Sequence, residues 1–249
     1  MAPAIEPEAV KWGILGAARI AEGAIVPGLR NSAACEAYAV AARDKDRAVA
    51  MAERCGIAKA YGSYDALLAD PEVEVVYVAL PNHLHVEWAR KAADAGKHVL
   101  IEKPAGLTRA DLAALDGVDP GLRVAEAFMV RHQPRWQALR ARLASGEHGE
   151  VRTVSSLLSF MMTKEDDFRT RPEWGGGAIY DLGCYTAMAA RFVFGREPLR
   201  ALAECYHDGR GIDMFSSVIL DFGRGHHALF SVSLARASAQ NLQVVCERA

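Results

Sequence analysis

The strongest constraint on this chain lies at residues 73–80, VEVVYVAL, an apolar run interrupted only by Glu74 and followed at once by Pro81. A strand that shows one face to water alternates apolar and polar residues. One that does not alternate is buried on both faces, as in a parallel sheet covered by helices on each side. The segments around it fit that setting. VKWGIL (10–15) reads as a first strand stopping at Gly16, followed by a helix over 20–29 and a second strand over 35–42. A helix capped by Asp44 follows, then a short strand at 59–61 and a helix begun by Ser63 and ended before Pro71. Beyond the apolar run come a helix over 86–95 stopped by Gly96, a strand at 98–101, a helix opened by Thr108 and a sixth strand at 124–127.

Strands alternating with helices of about ten residues predict an α/β Rossmann domain, a doubly wound parallel sheet, over residues 1–125. After Pro134 the pattern changes. A helix over 135–144 is followed by strand candidates at 151–160, 199–207, 212–222, 226–234 and 242–246, with a helix over 178–194 behind Gly175-Gly176-Gly177. Tight turns such as 222–225 join successive strands, so residues 126–249 read as an α+β domain with a mixed, largely antiparallel sheet.

Composition narrows the partners. The 29 basic and 31 acidic residues are spread evenly and leave a net charge of -2, so neither a nucleic-acid partner nor an anionic membrane surface is expected. The start, MAPAIEPEAV, lacks the basic stretch and apolar core of a secretory signal, and no apolar run approaches the roughly 20 residues of a membrane span. A cytoplasmic location is expected. Cys35, Cys55, Cys184, Cys205 and Cys246 are odd in number and far apart, and read as reduced thiols.

The strand-to-helix turn Gly16-Ala17-Ala18-Arg19-Ile20-Ala21 is an imperfect G-x-G-x-x-G/A dinucleotide fingerprint, because Ala18 stands at the second glycine. The helix N-terminus can still offer free N–H groups to a pyrophosphate. At the end of the second strand, where NAD enzymes place an acid against the ribose hydroxyls, the chain reads Ala42-Arg43-Asp44. Arg43 there favours the 2′-phosphate, so NADP is expected as cofactor ahead of NAD. In the structural alternative Arg43 is a surface cation and Asp44 only a helix cap.

Three further segments form a pattern with that turn: Leu80-Pro81-Asn82-His83, Glu102-Lys103-Pro104, and Gly175-Gly176-Gly177 followed by Asp181 and Tyr185. With them the whole chain resembles the glucose-fructose oxidoreductase and inositol dehydrogenase family, Gfo/Idh/MocA. Asp-Leu-Gly-Cys-Tyr at 181–185 is most similar to its sugar dehydrogenase and dimeric dihydrodiol dehydrogenase branch, as are Glu126-Ala127-Phe128-Met129 and Arg131-His132-Gln133-Pro134. The resemblance implies an NAD(P)-dependent oxidoreductase acting on a sugar, cyclic polyol or related alcohol. It implies that Pro81 and Asn82 lie near the nicotinamide, with His85 shaping that loop or capping the next helix, and that Leu80, His85, Glu102 and Lys103 are among the cofactor-binding residues. It also implies a homo-oligomer formed through the second sheet, and a chain cut short at Ala249.

Hydride transfer from an alcohol needs a group to take the hydroxyl proton and a group to stabilise the developing alkoxide. Lys103, past the carboxyl end of a parallel strand, is the candidate for the reacting oxygen. Tyr185 is the candidate for the proton, its pKa lowered by Lys103, with Asp181 on the same helix face positioning Lys103 or a sugar hydroxyl. Arg131, Trp174 and Phe168 are candidate substrate contacts, and the glycine triplet is expected to give open access to the helix behind it. Each has a plainer reading: a surface cation, an exposed helix pair, a core aromatic, a flexible loop. His83 and His85 form an H-x-H pair without a third ligand and are not read as a metal site; His226 and His227 are expected at a sheet edge or turn. The competing functional reading is a catalytically inactive or regulatory dinucleotide-binding homologue.

Overall fold

In the computed structural model, which describes residues 8–164 and 167–248, the chain divides into two compact units at Ala127 and Phe128. The first is built on β1 (Val10–Leu15), α1 (Val26–Arg30), β2 (Cys35–Ala41), α2 (Lys45–Cys55), β3 (Lys59–Tyr61), α3 (Tyr64–Leu68), β4 (Val75–Val78), α4 (His85–Asp94), β5 (His98–Ile101), α5 (Arg109–Leu112) and β6 (Val124–Glu126). Its six strands are parallel and ordered β3-β2-β1-β4-β5-β6. The order reverses between β1 and β4, which creates the crevice where open α/β sheets take ligands.

The unalternated strand behaves as its composition demands. Val76 and Val78 of β4 pack into a cluster with Leu15, Ala89 and Ile101 on one face, and Tyr77 packs with Ile14, Val40 and Met51 on the other. Caps set the helix starts. The Asp44 carboxylate accepts from the Asp46 N–H at 3.0 Å, and the Ser63 hydroxyl from the Ala66 N–H at 3.1 Å. Thr108 and Asp111 form a reciprocal capping box.

The second unit carries α6 (Pro134–Ala144), β7 (Val151–Met161), α7 (Cys184–Phe194), β8 (Arg200–His207), β9 (Asp213–Asp221), β10 (His227–Ser233) and β11 (Ala235–Cys246). Its sheet runs β11-β7-β10-β9-β8, with β10 and β7 parallel and every other pair antiparallel. Val218, Leu220, Ala228, Phe230 and Val232 line the inner face and meet Leu182, Ala190 and Val193 from the α7 region. The alternate residues Ile219 and Leu229 point outward, as does Leu202 of β8, at 39%, 40% and 54% exposure.

Three details differ from the sequence expectation. β11 begins at Ala235, well before residue 242, because an edge strand can be held by β7 alone and needs no apolar pattern. The helices at 21 and 179 each open with a wide turn: the Val26 N–H reaches Ala21 O and the Cys184 N–H reaches Ile179 O, each five residues back. Such turns recur at functional sites. His226 stands at the β9–β10 turn, as expected, but is fully buried there, stacked on Phe194 with its ring nitrogens 2.9 and 2.6 Å from the Arg152 and Arg196 guanidinium groups. Among the described residues no helix is long and apolar enough to cross a membrane.

Candidate active site

Gly16 leaves β1 with φ at +104°, a region L side chains rarely adopt, and a Cβ there would sit 2.4 Å from the Ala79 carbonyl oxygen. Its own N–H donates to Ala41 O at 2.8 Å, and the Ala79 N–H donates to Leu15 O at 2.9 Å. The turn is therefore wedged between the exits of β2 and β4, at the switch point. The Ala18 N–H donates back to Gly16 O at 2.8 Å, while Arg19 and Ile20 are exposed at the start of the helix. First-turn amides lack intrahelical acceptors, so this end suits a pyrophosphate despite the Ala18 methyl.

Arg43 follows β2 directly and is exposed beside the Tyr64 hydroxyl; burial pushes that phenol up, and Arg43 and Arg47 pull it back. Arg47, four residues on, reaches toward Ala17 O at 3.4 Å and so stands over the Gly16 turn. The Asp44 carboxylate is spent on its helix cap. Two guanidinium groups and a committed acid fit a 2′-phosphate better than a ribose diol. Arg47 escaped the sequence reading, although its i,i+4 spacing from Arg43 was available.

Lys103 is half-buried in a loop held from several sides. The buried Glu102 accepts from the Tyr77 hydroxyl of β4, and from the Lys103 N–H at 3.1 Å. The Ala105 N–H donates to Glu126 at the end of β6 at 2.8 Å. The Lys103–Pro104 peptide is cis. His85, at 1% exposure, places Nδ1 2.7 Å from Pro104 O and Nε2 2.7 Å from Leu80 O. Both of its nitrogens face backbone carbonyls, and Asn82 beside it is buried.

In the second unit Asp181 and Tyr185 do not share surroundings. The Asp181 carboxylate, at 4% exposure, receives the Arg169 guanidinium through Nε at 2.6 Å and Nη2 at 3.3 Å. Arg169 also reaches Asp167 at 3.2 Å and lies over the Phe168 ring at 4.4 Å. Burial works against this arginine's charge, and the two carboxylates outweigh it. Neither Arg169 nor Asp167 left a signal in the sequence.

Tyr185 is half-buried, its ring edge-on to Phe128 at 5.4 Å and its hydroxyl 3.8 Å from Met129 Sδ. It borders a cavity of about 650 Å³ lined also by Trp136, Leu182, Gln240 and Asn241. Trp174 is not among the lining residues; the Arg171 guanidinium covers its ring at 4.8 Å. The Arg131 side chain is exposed and likewise outside that lining, where Arg135 stands. The tryptophan that shares the cavity lining with Tyr185 is thus Trp136.

The glycine triplet serves packing. A Cβ on Gly176 would lie 2.4 Å from Arg169 O, and one on Gly177, at φ +112°, would lie 1.8 Å from Asp213 Oδ1. Asp213 accepts from the Ile179 N–H at 2.8 Å and the Ser216 hydroxyl at 3.1 Å, and so caps the helix bearing Asp181 and Tyr185. Burial pushes its carboxyl up, with those two donors pulling the other way. The room expected for a ligand is filled by the protein itself.

Residues 10–117 match the family model described as an oxidoreductase family with an NAD-binding Rossmann fold, and residues 136–249 match the GFO/IDH/MocA C-terminal domain. An uncharacterized oxidoreductase of Rhizobium meliloti is 44% identical over 94% of this chain and 71% of its own length. The D-xylose 1-dehydrogenase (NADP(+)) 2 of Haloferax volcanii is 40% identical over 94% of this chain and 72% of its own. A 3-ketoreductase from Actinomadura kijaniata, crystallised with NADP and TDP-benzene, superposes with a TM-score of 0.89 at 32% identity, covering 96% of this chain and 74% of that one.

Proposed function

Because the chain belongs to the Gfo/Idh/MocA family of oxidoreductases, we propose that it transfers hydride between NADP and a sugar, cyclic polyol or related alcohol or carbonyl, with Lys103 and Tyr185 at the reacting group. The carrying observation is the Lys103 loop: a cation past the carboxyl end of a parallel strand, anchored by Tyr77 through Glu102, by Glu126 and by His85. A group held that firmly costs little reorganisation when charge develops beside it. Relatives named as a dehydrogenase and a reductase support catalysis over a regulatory homologue.

The amides after Gly16 would hold the pyrophosphate, Arg43 and Arg47 the 2′-phosphate, and Leu80, Pro81, Asn82 and Glu102 the nicotinamide side. When bound, the cofactor supplies the hydride acceptor in one direction and the donor in the other. The Lys103 ammonium donates a hydrogen bond to the reacting oxygen and stabilises alkoxide character. The Tyr185 hydroxyl exchanges the proton of that oxygen. Asp181, bound to Arg169, fixes the helix turn before Tyr185 rather than meeting substrate directly. The cavity bordered by Tyr185, Trp136, Gln240 and Asn241 supplies one apolar ring and amide groups, a combination suited to a sugar.

A second copy is the proposed occupant of the open sheet face, where Leu202, Ile219 and Leu229 are exposed. A cytoplasmic site of action accords with five free cysteines. The deciding experiment follows reduced-nicotinamide absorbance with NADP and NAD over aldoses, polyols and trans-dihydrodiols. Turnover with at least one of these carries the reading; nucleotide binding without any turnover transfers the case to the regulatory homologue.

A further inference from the structure

The last backbone rung between β4 and β5 is the Glu102 N–H donating to Val78 O at 3.0 Å. Past it the two strands separate into loops, one carrying Pro81 and Asn82, the other Lys103 and Pro104. The His85 ring stands between them. It begins α4, is 1% exposed, and faces Leu80 O with Nε2 and Pro104 O with Nδ1, both at 2.7 Å. One neutral tautomer donates to Pro104 and the other to Leu80; the imidazolium donates to both. A rigid ring with nitrogens on two sides fixes the gap between the carbonyls it meets, and an aliphatic side chain would leave both carbonyls without that partner.

We propose that His85 is a positioning residue: it spans the Leu80 and Pro104 carbonyls and so holds the Lys103 loop and the Asn82 loop in one arrangement. Its catalytic consequence rests on the function proposed above, whereas the strap itself does not. Lys103 is the neighbour of Pro104, so the position of its ammonium depends on where the Pro104 carbonyl is held. Small misplacement of a catalytic group has a large effect on rate and a small effect on cofactor binding, since the phosphate contacts lie elsewhere, at Gly16 and Arg43.

The test uses the full chain with His85→Leu and His85→Gln. Amide hydrogen exchange without nucleotide is expected to quicken at least tenfold across 80–84 and 102–106 in His85→Leu, with less than a twofold change in β1 and β4. The Gln variant, whose amide retains a donor, is expected between the two. With NADP and D-xylose, kcat is expected to fall at least tenfold in His85→Leu while KM for NADP stays within threefold, and Gln restores part of kcat. Unchanged exchange in both loops, or a uniform rise across the whole unit, overturns the proposal. So does a folded His85→Leu enzyme that keeps kcat within twofold of the original. If Leu prevents folding, the Gln variant decides by the same exchange pattern. A parent protein that turns over none of the aldoses, polyols and trans-dihydrodiols but shows the expected exchange change sinks the functional reading and leaves the strap standing.

Discussion

Gly16→Ala tests the reasoning about the dinucleotide turn most directly. At φ +104° an alanine would be strained, by roughly 1–3 kcal/mol for a residue held in a sparsely populated region. Its Cβ would also lie 2.4 Å from Ala79 O, a backbone atom of a residue tied to β1 by its N–H donating to Leu15 O, so relief requires the β1 and β4 exits to part. Overpacking of that kind costs about 1–3 kcal/mol more. The sum, about 2–6 kcal/mol, is a large share of a typical domain's stability of about 5–15 kcal/mol. Gly23→Ala is the matched control: it lies in the helix that follows the turn, with nothing within 4 Å of its Cβ, and should gain about 0.5–1 kcal/mol. Thermal melts should show Gly16→Ala lowered by roughly 4–24 °C. Fluorescence titration with NADPH at a temperature where both variants are folded should show binding weakened at least tenfold in Gly16→Ala and unchanged in Gly23→Ala. A Gly16→Ala protein that melts within 2 °C of the parent and binds NADPH equally would refute the account of the turn.

Tyr185→Phe should lower kcat about 10²–10⁴-fold, the usual worth of a proton-exchanging group, with NADPH affinity within twofold; equal loss of binding would contradict the role. Arg43→Ala and Arg47→Ala should each weaken NADP about tenfold or more and leave NAD unchanged, read by competition binding with 2′-phosphorylated and unphosphorylated nucleotides. A parallel loss for both cofactors would remove the 2′-phosphate assignment. Burial raises the Asp70 carboxyl, but the Tyr61 hydroxyl, the Glu72 N–H and Lys59 together hold it below the usual carboxylate range. Its contribution to stability is therefore present above about pH 4 and lost as pH falls through its depressed pKa. Urea midpoints taken at falling pH should drop less steeply in Asp70→Asn; an identical slope would show that Asp70 carries no part of the acid sensitivity.

Most of the first unit could be read from residue order because its signals are local. An unalternated apolar strand, Asp44 and Ser63 at helix starts and Gly96 at a helix end each act within a few positions. The second unit was less legible where a partner arrives from far along the chain. Arg169 meets Asp181 and Asp213 meets Gly177 only through the tertiary fold, so the triplet resembled an open loop when it is a packing contact. β11 was read short because ARASAQN carries little apolar pattern, and its pairing with β7 supplies what the pattern lacks. The burial of His226 carries no local signal, because its guanidinium neighbours come from β7 and from the turn after α7. Arg47 was within reach of a spacing argument, and Trp136 was hidden by an equally plausible Trp174.

The strand order β3-β2-β1-β4-β5-β6 also sets a timetable. β1, β2 and β3 leave the ribosome in turn ahead of β4, and Ala79, the backbone against which Gly16 closes, comes roughly sixty residues after it, a delay of about 3–12 s at ordinary synthesis rates. During that interval the edge of β1 that will receive β4 is unpaired, and the nascent chain exposes it to other strands. The cofactor crevice is a seam between two halves made at different times. Codon choice or chaperone supply across residues 62–80 should therefore affect the yield of folded protein more than the same change across 20–40.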